Sequence, residues 1–219
     1  MTLKSESRSK LESDLISKKF DGFSKSFIKD DNAGLSNSAK HQIKQIVKDK
    51  NSIHSVVDVG SGAGGILAEL ISLGIEKGTG IDLSPKMIEA AQSRIERCCE
   101  NKVNFIQGNF VDIELENHDA ISMHKVMCCY FDSNALLNKA ISLNPEVISF
   151  TLLRERFLTK SIGKILFFLK KVRPSTFIIH VHKLKHLDQV LLKSGYTMVN
   201  EMKSGFIWTT RTYKKQGTD

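Results

Sequence analysis

The thirty-six residues from Val56 to Ala91, VVDVGSGAGGILAELISLGIEKGTGIDLSPKMIEAA, constrain the fold of this chain more than any other stretch. An apolar β-rich run leads into a glycine-rich turn, then an apolar helical pattern, then a second short apolar run ending in Asp82. Strand, glycine turn, helix and strand in that order make a parallel βαβ unit with its turn at the carboxyl end of the first strand. In Gly60-Ser61-Gly62-Ala63-Gly64-Gly65, side chains are absent where the backbone must turn tightly or admit a ligand. The helix that follows directs unpaired N–H groups and a partial positive charge back toward the strand ends. Asp82 falls twenty-two residues after Gly60, where a carboxylate accepts both hydroxyls of a ribose.

These features suit any adenosine cofactor, and Gly60, Gly62 and Gly65 also satisfy the G-x-G-x-x-G pattern of dinucleotide sites. Asp58 shifts the balance. A carboxylate two residues before the first glycine repels a pyrophosphate but attracts the ammonium of an amino acid, directly or through water. A ribose at one end and a zwitterionic amino acid at the other describe S-adenosylmethionine.

VVDVGSGAGG followed by GIDLSPKMIEAA resembles the first two motifs of the Rossmann-like S-adenosylmethionine-dependent methyltransferases, specifically over Ser55 to about Tyr130. The resemblance implies that Asp58, Gly60, Ser61, Gly62, Asp82 and Leu83 bind the cofactor. It also implies a third motif at VNFIQGNF, Val103 to Phe110, where the family usually carries an aspartate that accepts the adenine amino group. Here that position is Asn109, whose amide oxygen still accepts and whose NH2 donates, with Phe110 stacking on or edging the ring. The plainer reading of Gly108-Asn109 is a turn pair that favours positive φ, and Asp112 is a second candidate for the adenine contact.

Alternation continues along the chain. Helical patterns fall near 10–30, 36–50, 63–73, 85–99 and 133–142, and strands near 55–59, 77–82, 103–107, 119–124 and 146–151. A helix near 183–194 ends at Gly195, and Tyr196–Met202 and Phe206–Tyr213 flank Lys203-Ser204-Gly205 as a hairpin. The expected fold is α/β: a seven-stranded, mostly parallel Rossmann-like sheet with helices on both faces and a C-terminal antiparallel hairpin, in the order 3-2-1-4-5-7-6 that the resemblance implies. At 219 residues the chain fits one methyltransferase domain, with 1–50 as a helical cap and 151–182 as an insertion over the acceptor site.

That insertion holds most of the charge asymmetry. Thr151 to Leu187 contains nine Lys or Arg against one acid, Glu155, a net +8 that equals the formal charge of the whole chain. Leu158, Ile162, Ile165, Leu166 and Leu169 recur at helical spacing opposite Lys160, Lys164 and Lys171, which describes a basic amphipathic helix. Three readings stay open: a lid with a solvated charged back, a peripheral contact with anionic membrane through 157–173, or a grip on RNA phosphates. Phe157, Phe167 and Phe168 favour the first two, no RNA-binding module is recognisable, and nucleic acid is not the expected partner. A polar N-terminus and the lack of a run of eighteen apolar residues imply a cytoplasmic chain. Cys98-Cys99 and Cys128-Cys129 are adjacent pairs that fit neither a zinc knuckle nor a CxxC redox site, and they read as free thiols with no metal. Oligomeric state is not readable.

The acceptor chemistry should lie after the fourth strand, at Met123 to Asp132, MHKVMCCYFD. It lacks the Asn/Asp-Pro-Pro-Tyr sequence of exocyclic-amine methyltransferases. VMCCYFDSNALL is instead similar to the corresponding loop of the magnesium-protoporphyrin methyltransferases, with Phe131 in place of a proline. The expectation is a small, apolar acceptor, with O-methylation favoured. The alternatives are an RNA methyltransferase and a non-catalytic cofactor-binding protein. His124 is the first candidate for a general base, with a strand-capping or cofactor-touching role as the competing reading, and Tyr130 is a candidate for orienting the acceptor. His180 and His182, in the alternating FIIHVH, share a face that would enter the pocket from the insertion.

Overall fold

The structure, a computed structural model, describes residues 3–32, 34–49, 52–96, 100–155 and 179–217. The amphipathic stretch expected at 158–169 and the Cys98-Cys99 pair lie outside the described residues.

Helices α1 (Leu3–Asn32) and α2 (Asn37–Ile46) precede the alternating core. The core runs β1 (Ser55–Val59), α3 (Gly65–Ser72), β2 (Lys77–Asp82), α4 (Pro85–Ile95), β3 (Val103–Gln107), β4 (Ala120–His124), α5 (Ser133–Ser142) and β5 (Val147–Leu153). Helix α6 (Leu184–Lys193) and the hairpin β6 (Tyr196–Ser204) and β7 (Trp208–Lys215) complete it. The seven strands are ordered β3-β2-β1-β4-β5-β7-β6, with only β7 and β6 antiparallel to their neighbours, as the sequence predicts. The second hairpin strand begins at Trp208, two residues later than expected. Gly205 turns with φ of +58°, and Phe206 and Ile207 stay exposed in the connection.

Local chemistry sets the helix starts. Ser84 caps α4 by accepting the Met87 N–H at 3.2 Å, and Pro85 occupies the first turn, where its missing N–H has no partner to lose. Asp132 caps α5 by accepting the Asn134 and Ala135 N–H groups, each at 3.0 Å. Ser36 caps α2 by accepting the Ala39 N–H at 3.3 Å.

The two faces of the sheet differ. Val57, Val59, Ile121, Met123, Ile148, Phe150 and Leu152 point to the face covered by α5 and α6, an apolar contact throughout. Their alternates Asp58, Ser122, Ser149 and Thr151 point to the face that α2 covers. There Gln42, 0% exposed, donates from Nε2 to Ser122 Oγ and to Ser149 O at 3.0 Å each, and accepts from Thr151 Oγ1 at 2.9 Å. Ser122 Oγ in turn donates to Asp58 Oδ1 at 2.7 Å, while Thr151 pairs with Thr210 at 2.8 Å and Ser149 with Thr212 at 2.9 Å. Ala39, Ile43 and Ile46 enclose this ladder in apolar packing with Val56, Leu67 and Val147. A buried amide is tolerated here because both its N–H groups and its oxygen are satisfied.

Among the described residues no helix is long and apolar enough to cross a membrane.

Candidate active site

The carboxyl ends of β1, β2 and β4 open onto a cavity of about 360 Å³. One end is built largely from backbone. The Gly60 and Ser61 N–H groups both donate to Ile81 O, at 2.7 and 3.0 Å, which folds the turn back over β2. Gly60 and Gly62 sit at φ of +66° and +53°, in the left-handed region. A Cβ on Gly60 would meet Val126 Cγ2 at 2.4 Å, so the turn and the loop after β4 fit only with glycine there. Asp82 is gripped by two N–H groups, Gly62 to Oδ2 at 2.9 Å and Ser84 to Oδ1 at 2.8 Å. Burial, with Asp21 nearby adding to it, pushes its carboxyl above the ordinary carboxylate range in spite of those N–H groups. Ser61 lines the cavity, and its Oγ is buried without a hydrogen-bond partner among the described residues.

Helix α1 walls this end, which the sequence did not show. Ile16 and Phe20 line the cavity, Ser17 Oγ donates to Leu83 O at 2.9 Å, and Ser84 Oγ donates to Asp21 Oδ1 at 2.5 Å. The signal was slight: Ile16 and Phe20 stand at i and i+4 in a helix most of whose residues are polar. Leu83, Asn109 and Phe110 also line the cavity. Asn109 is committed within the protein, donating to Asp112 Oδ2 at 2.9 Å and Tyr130 Oη at 3.1 Å and accepting the Val111 N–H at 3.3 Å. Asp112 thus braces Asn109 and does not itself line the cavity. Tyr130 lines the wall with its hydroxyl tied to Asn109.

The other end is built from side chains. His124 closes β4 with Nε2 at 3.0 Å from Ser38 Oγ and 3.5 Å from Ser36 Oγ, both at the start of α2. Burial first, and then the Lys125 charge, push its imidazole down to about 3, so it is neutral at working pH and a weak base. Lys125 is a non-glycine residue at φ of +60° whose N–H donates to Thr151 O at 2.9 Å. Its Nζ lies 4.9 Å from the centre of the Trp208 ring. Cys128 and Cys129 are free thiols, as expected, both donating to Lys125 O, and Cys129 lines the cavity with its thiol pushed up first by the Cys128 hydrogen bond and then by burial. Leu35, Ser36, Ala39 and Val126 complete this end.

Two placements differ from the sequence reading. Asp58, 1% exposed, faces Ser122 beneath α2 and is not on the cavity wall, because alternation along β1 turns it to the face opposite Val57 and Val59. His180 and His182 are not in a strand and do not enter the cavity. Their rings do stack on one side, 6.2 Å apart. His182 Nε2 lies 2.7 Å from Met127 O and 3.0 Å from Tyr130 O, and the His180 N–H donates to Cys128 O at 2.7 Å, so both hold the outer side of the loop after β4. Sequence reasoning passed over Ser36, Ser38, Gln42 and Lys125. Only the capping pattern at Ser36 and the place of Lys125 inside the loop string pointed to them. Among the described residues no cluster of His, Cys, Asp or Glu could hold a metal ion.

A glycine turn after β1, a buried carboxylate at the end of β2 and this sheet order are the features of a class I methyltransferase. The comparisons agree: residues 50–203 match the family described as "Methyltransferase domain", and the chain belongs to that family. It is an S-adenosylmethionine-dependent methyltransferase. No curated protein matches. Among solved structures it is similar to the magnesium protoporphyrin IX methyltransferase of Synechocystis PCC 6803 with bound SAM, at 16% identity over 94% of this chain and 97% of that one, TM-score 0.67. It is also similar to a chain in the complex of the Haloferax volcanii Trm112 methyltransferase activator, at 14% identity over 93% and 99%, TM-score 0.70. A third is an O-methyltransferase family protein from Burkholderia thailandensis, at 18% identity over 83% and 59%, TM-score 0.60. At these identities the likeness is one of fold.

Proposed function

We propose that this protein transfers a methyl group to an oxygen of a small, apolar acceptor. The observation that carries this reading is the two-ended cavity: a polar backbone cradle around Asp82 at one end, and Leu35, Ala39 and Val126 around the exit of β4 at the other. In this reading Asp82 holds the ribose hydroxyls, Phe110 and Asn109 border the adenine, and the Gly60–Gly62 turn with Ser61 Oγ receives the amino-acid portion. Asp58 acts on the ammonium only from behind, through the charge it sets beneath the turn. The donor supplies an already activated methyl on sulfonium. The protein's own task is to hold the acceptor oxygen close and in line and to keep water out. His124, neutral and bonded to Ser38, acts as a positioning group that ties α2 to the loop after β4. Tyr130 does the same for Asn109.

The basic segment at 157–173 lies outside the described residues, and its sequence charge suits peripheral contact with anionic membrane by an otherwise cytoplasmic protein. Flotation with anionic and neutral vesicles tests this.

Calorimetry with S-adenosylhomocysteine is the first test of the function. The wild type should bind it, Asp82→Ala should lose most of that affinity while staying folded, and NAD should not bind. Unchanged affinity in folded Asp82→Ala would remove the site assignment. Structure-selective RNA binding at physiological salt would replace the small acceptor by an RNA.

A further inference from the structure

Cys128 and Cys129 take no part in the function proposed above. They are free thiols with their sulfurs 3.8 Å apart, in the short 3-10 helix Met127–Cys129 of the loop after β4. Side chains of consecutive residues ordinarily diverge, since an α-helix turns them about 100° apart and a strand sends them to opposite faces. Here both thiols converge on one acceptor, Lys125 O, at 3.1 Å from Cys128 and 3.6 Å from Cys129. The backbone that brings them together is held from two directions. The Cys129 N–H donates to Val126 O at 2.8 Å, and on the outer side the His180 N–H donates to Cys128 O at 2.7 Å. The pair is therefore fixed before anything binds, with Cys128 5% exposed and Cys129 on the cavity wall.

Two sulfurs at this separation match the bite of a single soft centre. Thiolate bonds to such a centre are about 2.3 Å long, and two of them at angles between a right angle and the tetrahedral angle set their sulfurs about 3.3–3.8 Å apart. Among the described residues no group of three or more His, Cys, Asp or Glu is placed to hold a metal ion. The centre that fits is one that needs only two protein sulfurs because it carries its third substituent with it. The hydrogen bond from Cys129 draws the Cys128 thiol below its ordinary range in spite of burial, so Cys128 is the sulfur that attacks first.

We propose that Cys128 and Cys129 form a dithiol site for trivalent organoarsenicals, entered from the cavity through Cys129. An organic arsenoxide gives up its oxygen as water: each sulfur forms one bond to arsenic, both thiol protons end on the departing oxygen, and arsenic stays trivalent. No oxidant or reductant is consumed. The organic group left on arsenic takes up cavity space beside Cys129, so capture and occupation of the cavity by S-adenosylhomocysteine oppose each other.

The test uses phenylarsine oxide and the full chain carrying Cys98→Ser and Cys99→Ser, which leaves Cys128-Cys129 as the remaining thiols. This protein should capture one equivalent and lose both thiols to titration, and a small dithiol should release the arsenical where a monothiol at equal thiol concentration does not. Adding Cys128→Ser or Cys129→Ser should weaken capture at least about a hundredfold, because the second bond of a chelate forms at an effective concentration that a lone thiol lacks. Circular dichroism checks that each variant is folded, with alanine in place of serine where serine unfolds it. Saturation with S-adenosylhomocysteine should slow capture about tenfold or more. Absence of capture, or capture by the single-thiol variants within about threefold of the pair, would overturn the site and leave two thiols that only pack. Capture at the same rate with and without S-adenosylhomocysteine would overturn entry from the cavity.

Discussion

The two ends of the cavity are held by different means. At the Asp82 end, five main-chain N–H groups do the work: Gly60 and Ser61 on Ile81 O, Gly62 and Ser84 on the Asp82 carboxylate, and Gly108 on Asp82 O at 2.9 Å. At the β4 end the contacts are between side chains far apart in sequence, Ser38 with His124 and Gln42 with Ser122 and Thr151. A backbone-built site asks only for residue types that permit the backbone path, whereas a side-chain-built site asks for particular partners to meet. The first end should therefore fail when a glycine changes, and the second when one member of a pair is lost.

The largest effect is expected from Gly60→Ala. The new Cβ would press into Val126 at a left-handed residue, costing about 2–4 kcal/mol of stability and removing most affinity for S-adenosylhomocysteine. Chemical denaturation and calorimetry read the two effects, and near-wild-type values would show that the turn is not as fixed as its geometry implies.

Asp82 separates binding from folding at the same end. Asp82→Ala should weaken S-adenosylhomocysteine by about 1.5–3 kcal/mol. Because the folded-state pKa of Asp82 lies above its unfolded value, its contribution to stability is fully present below the unfolded pKa and is lost as pH rises through the folded one. Asp82→Asn should then raise the Tm of the ligand-free protein at neutral pH while losing affinity. A lower Tm would mean that the two N–H groups outweigh burial.

At the other end, Gln42→Leu removes one hydrogen-bond partner each from the Ser122 and Thr151 hydroxyls and the Ser149 carbonyl, costing about 1–3 kcal/mol, with S-adenosylhomocysteine affinity within about twofold. Adding Thr151→Val should restore part of the loss, and a strictly additive double variant would argue against a connected ladder.

The smallest effect is His124's. Its folded pKa is depressed, so its share of stability is full above about 6.5 and is lost progressively as pH falls toward about 3. Between pH 6.5 and 5.5 this amounts to about 1 kcal/mol at most, absent in His124→Gln. Identical pH dependence in the variant would place the imidazole in solvent.

The same contrast decides what was legible in the sequence. Gly60, Gly62, Asp82, the Ser84-Pro85 helix start and the strand order follow from short stretches, since turn geometry and capping are local. Leu83, Asn109 and Phe110 came with the resemblance and line the cavity. The Ser38–His124 contact joins positions 86 residues apart and the Gln42–Thr151 contact 109, so neither leaves a local trace. Asp58 was misdirected although the means were at hand: Val57 and Val59 are alternates of Asp58, and a strand cannot present all three to one side. His180 and His182 alternate as a strand does, but they pair with no strand among the described residues; carbonyls of the loop after β4 accept the His180 N–H and meet the His182 imidazole.

The Gln42 ladder also bears on how the chain avoids misassembly. Ser122, Ser149 and Thr151 come together beneath Gln42 only because β4 and β5 pair Ser122 with Ser149 and His124 with Thr151. A slip of β5 by one residue would carry Phe150 and Leu152 beneath α2 and leave the amide of Gln42 in an apolar environment with nothing to bond. A wholly apolar α2 interface would tolerate that error, since Ile, Leu and Phe substitute for one another in rough packing. By making the dock polar, the chain lets α2 seat stably only on a correctly aligned sheet, so the helix works as a proofreader of strand alignment.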